Sequence, residues 1–182
     1  MNNKNKISIS KRYARSLLKL AEEQNSILKV KSELNNVQEI LNSSSELYSA
    51  LINPIVNKND KKEIIERIFE RDTSFEVRNF LKLLIEKGRF NFVHSIIEEF
   101  YTLFDISENI AHIQITSALE LNDEQKHTLE EKLALKLQKK IEVEYLKDSS
   151  IIAGLICKIG DNVIDTSLSY KLNQFKKELI KN

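Results

Sequence analysis

Apolar residues along residues 1–106 recur at helical spacing, in short runs separated by polar breaks. Tyr13, Ala14, Leu17, Leu18 and Ala21 form one stripe, and Ile27, Val30, Leu34, Val37 and Leu41 step by three and four along a narrow seam. Ser43-Ser44-Ser45 breaks the seam, and a short third run carries Leu47, Tyr48 and Leu51. That run must end before Pro54, which lacks a backbone N–H for the helical ladder. Asp60-Lys61-Lys62-Glu63 has the spacing of a capping box and opens a stripe of Ile64, Ile65, Ile68 and Phe69. Thr73-Ser74-Phe75-Glu76 has the same spacing ahead of Val77, Phe80, Leu81, Leu84 and Ile85, and Gly88 stands where a left-handed C-cap is wanted. Phe90, Val93, Ile96, Ile97, Phe100, Tyr101 and Phe104 make the sixth stripe. Isolated helices of these lengths are marginal in water, so six one-sided helices imply a bundle.

The period changes near Ser107-Glu108-Asn109. Ala111, Ile113 and Ile115 alternate with His112, Gln114 and Thr116, the pattern of a half-buried strand. Asn122 and Gln125 cap a helix with Leu129, Leu133 and Leu137, and Ile141, Val143 and Tyr145 alternate again. Residues 151–159 read as an apolar strand interrupted by Gly154 and Lys158. Gly160-Asp161-Asn162 is a hairpin turn before Val163-Ile164, and Ser167 can cap a last helix with Leu168, Leu172, Phe175 and Leu179. The expected fold is therefore mainly α: a six-helix bundle over 1–106, then a small α+β domain over 107–182. Three Gly and one Pro in 182 residues agree with long helices rather than a many-stranded sandwich.

Charge and chemistry narrow the function mostly by exclusion. The net charge is +1, with 17 basic and 15 acidic residues up to 106 and 11 and 12 after it, so neither part carries a field suited to nucleic acid. Six cations (Lys4, Lys6, Lys11, Arg12, Arg15 and Lys19) precede the first carboxylate, Glu22; they read as a solvated helix face or a docking surface for an acidic partner. Cys157 is the lone cysteine, which rules out an intrachain disulfide and reads as a small buried hydrophobe. His94, His112 and His127 lack the spacing of a metal site, and Gly88, Gly154 and Gly160 cannot build a phosphate-binding loop. Asp161 and Asp165 read as turn and helix-entry residues rather than an acid–base pair. No run of about 18 apolar residues spans a membrane. No catalytic, cofactor or metal residues are expected. A bundle joined to an α+β unit without such devices has the make-up of an adaptor.

Three stretches carry a resemblance. They are Arg12-Tyr13-Ala14-Arg15-Ser16-Leu17-Leu18, then Asn79-Phe80-Leu81-Lys82-Leu83-Leu84-Ile85-Glu86-Lys87-Gly88-Arg89-Phe90, and Ala153-Gly154-Leu155-Ile156-Cys157-Lys158-Ile159-Gly160-Asp161-Asn162-Val163-Ile164-Asp165-Thr166-Ser167-Leu168 with Leu172 after it. In order and spacing they resemble the delta subunit family of F-type ATP synthases, whose mitochondrial members are called oligomycin-sensitivity-conferring protein. The chain departs from the family at Ala153-Gly154, usually a glycine pair, at Asp165-Thr166-Ser167, usually Asp-Gly-Ser, and at Ser149, often proline.

The resemblance implies a non-catalytic stator subunit. It would link the catalytic head to the peripheral stalk, so that rotor torque drives ATP synthesis instead of spinning the head. It implies that the bundle receives N-terminal helices of alpha subunits in a groove between the first and fifth helices, lined by Tyr13, Ala14, Leu17, Leu18 and Ala21 opposite Val77, Phe80, Leu81 and Leu84. It further implies that the C-terminal domain holds the b subunits of the stalk through Leu172, Phe175 and Leu179. The location implied is peripheral, on the cytoplasmic face of a bacterial inner membrane, or on a thylakoid or mitochondrial inner membrane if organellar. The alternative is an unrelated helical scaffold or regulatory protein-binding module.

Overall fold

The computed structural model describes residues 3–160, 162–170 and 172. The chain divides into two compact units, Met1–Phe104 and Asp105–Asn182. The first contains α1 (Asn3–Glu23), α2 (Ile27–Ser43), α3 (Ser45–Ile52), α4 (Lys58–Phe69), α5 (Phe75–Glu86) and a 3-10 turn, Phe90–Phe92, leading into α6 (Val93–Ser107), whose last turn belongs to the second unit. Most of the expected stripes form the core: Leu34, Val37, Leu51, Ile65, Phe69, Leu81, Leu84, Ile96, Ile97 and Phe100 are essentially inaccessible, whereas Ile68 of the expected α4 stripe is exposed and Ile64 half-buried.

Local chemistry explains where these helices start and stop. Ser44 ends α2 and caps α3, its hydroxyl accepting from the Leu47 N–H at 3.2 Å. α3 stops at Ile52, two residues before Pro54. Gly88 adopts φ +63, and asparagines with positive φ follow α1 (Asn25) and α6 (Asn109), the residue types that pay least for left-handed backbone.

Both capping boxes expected in the bundle are corrected. Asn57, not Asp60, caps α4 by accepting from the Asp60 N–H at 2.9 Å, and Glu63 pairs with Arg67 at 2.6 Å instead of reaching back. At α5 the cap position is Ser74, whose hydroxyl turns away to Glu33 at 2.6 Å, while Thr73 donates to the Phe69 carbonyl at 2.7 Å. In each case a partner brought by the fold, or a better-placed side chain one turn earlier, displaced the local box.

The second unit is a four-stranded sheet in the order β2-β1-β3-β4. β1 (Ile110–Ser117) pairs in parallel with β2 (Lys140–Lys147), and the crossover that a parallel pair requires is α7 (Asp123–Leu137). β3 (Leu155–Ile159) is antiparallel to β1 and to β4 (Asn162–Asp165). The Asn122–Gln125 capping box forms as read from the sequence. Strand alternation holds in β1: Ile113 and Ile115 are buried while His112 is exposed. α7 lies over that buried face, where the Tyr145 hydroxyl donates to Glu130 at 2.9 Å and the Lys126 ammonium sits 5.5 Å from the Tyr145 ring centre.

The apolar run 151–159 is only partly strand. Ser149–Ile151 is a 3-10 turn. Ile152 then takes φ 67 and ψ −60, closed by an Ala153 N–H to Ile151 carbonyl bond of 2.8 Å, a strained γ-turn. Gly154, at φ +96, lets this segment run against Thr166 and Ser167 before β3 begins.

Candidate docking surfaces

The α1 and α5 stripes meet side by side, and the Tyr13 and Phe80 rings mark the seam, edge to face at 6.4 Å. Of the nine residues expected to line this groove, eight (Ala14, Leu17, Leu18, Ala21, Val77, Phe80, Leu81 and Leu84) are buried in the free chain, and Tyr13 is half-buried. They form the floor and the bundle core. The accessible apolar surface lies one helical step outward, where Leu20 is 39% exposed on the Tyr13 flank of α1 and Leu83 is 42% exposed on the Phe80 flank of α5. The sequence held a signal for both. Leu20 follows Leu17 by three and Leu83 follows Phe80 by three, which widens each stripe beyond what burial in the bundle needs.

The opposite side of α1 carries Lys11, Arg12, Arg15 and Lys19, all exposed. Lys11 lies 3.9 Å from Glu99 and Lys19 lies 3.9 Å from Glu23, loose contacts that leave the face strongly positive. Between α4 and α5, Glu66 binds Arg78 at 3.0 Å and also Lys82, while Lys62 binds Glu86 at 2.8 Å. The Lys82 bond is the main reason that the Glu66 carboxyl is held below its ordinary range, with burial opposing. This ion cluster clamps α5 to α4.

In the second unit, one sheet face is open and polar. His112, Gln114, Glu142, Glu144 and Lys158 border a 440 Å³ hollow there. His112 places Nε2 2.9 Å from Asp105 and Nδ1 3.3 Å from Glu142, joining the end of α6 to β1 and β2. Glu108 to Lys140 at 2.9 Å and the Asn109 amide to the Gln138 carbonyl at 2.9 Å fix the same turn. Val163, Ile164, Leu168 and Leu172, late in the chain, are exposed apolar positions, as are Leu119, Leu135, Leu146 and Ile152 elsewhere in the unit. Ser167 accepts from the Tyr170 N–H at 3.2 Å, as a helix cap does, and residues 168–170 and 172 are helical. Of the expected stalk contacts, Leu172 is exposed, while Phe175 and Leu179 lie outside the described residues, as does Asp161 of the hairpin turn.

Among the described residues, no group of three or more His, Cys, Asp and Glu can hold a metal ion, and no helix is long and apolar enough to cross a membrane. His94 packs on the Tyr48 ring at 5.0 Å, and His127 faces Glu131 at 3.2 Å. Cys157 is half-buried, and burial raises its thiol pKa, away from the reactive thiolate.

The chain thus consists of a helical unit with an apolar seam followed by an α+β unit with exposed apolar positions. The family model for the ATP synthase delta (OSCP) subunit matches residues 9–179. The chain is 36% identical over 171 residues to ATP synthase subunit delta of Chlorobaculum tepidum, covering 94% of each chain. It is 38% identical over 174 residues to the subunit of the same name from Acetivibrio thermocellus, covering 94% of this chain and 97% of that one. A chain in the cryo-EM structure of the Toxoplasma gondii mitochondrial ATP synthase hexamer shares the fold, with a TM-score of 0.65 at 19% identity over 94% of this chain and 97% of the other. The chain belongs to the ATP synthase delta (OSCP) family and is a non-catalytic stator subunit of F-type ATP synthase.

Proposed function

We propose that the seam between α1 and α5 receives the N-terminal helix of an alpha subunit, and that the second unit holds the b subunits of the peripheral stalk. The observation that carries the first attachment is the pair Leu20 and Leu83, which border a floor already closed by Tyr13 and Phe80. An amphipathic helix laid along the seam covers both leucines and needs no opening of the core. The stalk attachment is supported by the apolar positions Val163, Ile164, Leu168 and Leu172, left accessible along β4 and the segment after it. Held at both ends, the subunit resists slip of the catalytic head against the stalk. Its place is peripheral, on the cytoplasmic face of a bacterial inner membrane or the matching face of an organellar one.

The test is calorimetric titration of the full chain with a synthetic peptide of the alpha N-terminus. Complete burial of a leucine is worth about 1.5–3 kcal/mol, so covering the exposed two-fifths of Leu20 and of Leu83 contributes roughly 0.6–1.2 kcal/mol each. The double variant Leu20→Ala, Leu83→Ala is expected to weaken the peptide by about tenfold or more; the chain stays folded but melts lower, because about three-fifths of each leucine is already buried. Equal affinity for wild type and variant refutes the placement of the site. A pull-down that recovers b subunits equally well from a chain with Val163→Asp and Leu168→Asp refutes the second attachment.

A further inference from the structure

The turn from α3 to α4 folds over the C-terminal end of α5 and borders a half-open hollow of 460 Å³ in the helical unit. Leu51, Ile85 and Phe90, all buried, lie under its apolar floor, and Ile52, Pro54 and Val56 present accessible apolar surface to it. Two lysines also line it. Lys58 is exposed, whereas Lys61 is only 8% exposed. Each ammonium donates to one carbonyl at a helix C-terminus: Lys61 to Asn53, the C-cap of α3, at 2.6 Å, and Lys58 to Glu86, the last residue of α5, at 2.8 Å. Among the described residues, neither ammonium has a carboxylate within 4.0 Å. The neighbouring acids have nearer partners: Glu86 pairs with Lys62 and feels Lys58 only at longer range, Glu63 pairs with Arg67, and Asp60 with the Asn57 side chain.

An ammonium carries three donors, and each of these uses one on a carbonyl. A lysine is almost never this buried without a counter-charge, because desolvating a lone cation is costly. The helix C-termini supply part of that compensation through their partial negative charge. The remaining donors and the full positive charge border a space of ordinary ligand size whose floor is apolar. A bare inorganic anion would satisfy the lysines but leave Ile52 and Pro54 uncovered. A neutral apolar molecule would do the reverse, and a cation is repelled.

We propose that this hollow binds a small amphipathic carboxylate, with its head group on Lys61 and Lys58 and its apolar body on Ile52, Pro54 and Val56. The site is separate from the α1–α5 seam and does not depend on the stator reading.

The test is an NMR titration of the isotope-labelled full chain with octanoate below its micelle concentration, read at the amides of Gly88 and Asn91, which line the hollow. Saturable shifts at these amides are expected, with octanol weaker by about tenfold, the factor that one charge-assisted hydrogen bond supplies. Lys61→Met is expected to abolish saturation. Because Lys61 also caps α3, Lys58→Gln serves as the second variant and is expected to weaken octanoate several-fold while the fold stays intact. The proposal is overturned by unsaturable or absent shifts, by octanol binding as tightly as octanoate, or by unchanged octanoate affinity in a folded Lys58→Gln chain.

Discussion

Gly154→Ala is expected to weaken the second unit strongly and leave the bundle untouched. Gly154 has φ +96, and a Cβ added there lies 2.7 Å from the Thr166 carbonyl oxygen and 2.9 Å from the Ser167 Cα. Both contacts are with backbone, so no side chain can swing aside. Left-handed backbone costs an L-residue about 1–2 kcal/mol. Forcing a methyl into closed packing adds about 1–3 kcal/mol. The total of about 2–5 kcal/mol is a large share of what a small domain has in reserve. The bonds nearest the site are the Thr166 N–H to the Leu155 carbonyl at 2.9 Å and the Leu168 N–H to the Ala153 carbonyl at 2.8 Å, which tie the start of β3 to the entry of the last helix.

Native-state hydrogen exchange reads this unit by unit. At 1.4 kcal/mol per factor of ten, amides of β3 and β4 are expected to exchange at least about 30-fold faster in the variant. Amides in α2 and α6 are expected to keep their rates. Gly88→Ala is the internal control: Gly88 has φ +63 but nothing within 4 Å of an added Cβ, so only the backbone cost of about 1–2 kcal/mol applies. A change under about threefold in β3, or an equal loss of protection in both units, refutes the argument from close approach.

Two further predictions concern titration. The Glu66 carboxyl is held below its ordinary value of 4.5, chiefly by its hydrogen bond with Lys82. A depressed folded value gives stability that is present above the unfolded value and lost as pH falls through the folded one. Denaturant midpoints measured from about pH 6 to pH 3 should therefore fall less steeply in Glu66→Gln than in wild type, and identical slopes would contradict the clamp. Tyr145 is pushed up to about 12, first by burial and then by its bond to Glu130. A raised value gives stability that is complete below the ordinary tyrosine value near 10 and lost as pH rises through about 12. Ultraviolet titration should show Tyr145→Phe losing one late-ionising phenol, and loss of an early one instead would contradict the Glu130 contact.

The sequence by itself determined most of the fold. Six stripes at steps of three and four gave six helices, and the shift to alternation at Ala111 gave the sheet, because helix and strand bury opposite periodicities and one chain segment cannot satisfy both. Turn and cap residues at Pro54, Gly88, Asn122 and Gly160 carried their own geometry, because each acts through its own backbone or a neighbour within a few residues. The tertiary structure decided what depends on distant partners. Ser74 left its helix end for Glu33, forty-one residues away in the chain, a competitor that no local pattern contains. Residues 151–154 gave up strand pairing for turns because the chain there runs against Thr166 and Ser167.

Site residues divided in the same way. The stripes identified Tyr13, Leu17, Phe80 and Leu84 as apolar and helical, but apolar spacing cannot distinguish a core position from a groove wall. Only the packing of α1 beside α5 showed that Leu17 and Leu84 are closed in while Leu20 and Leu83 stay accessible. Which leucine faces water depends on where the neighbouring helix lies, and that is a property of the assembled bundle rather than of either stripe.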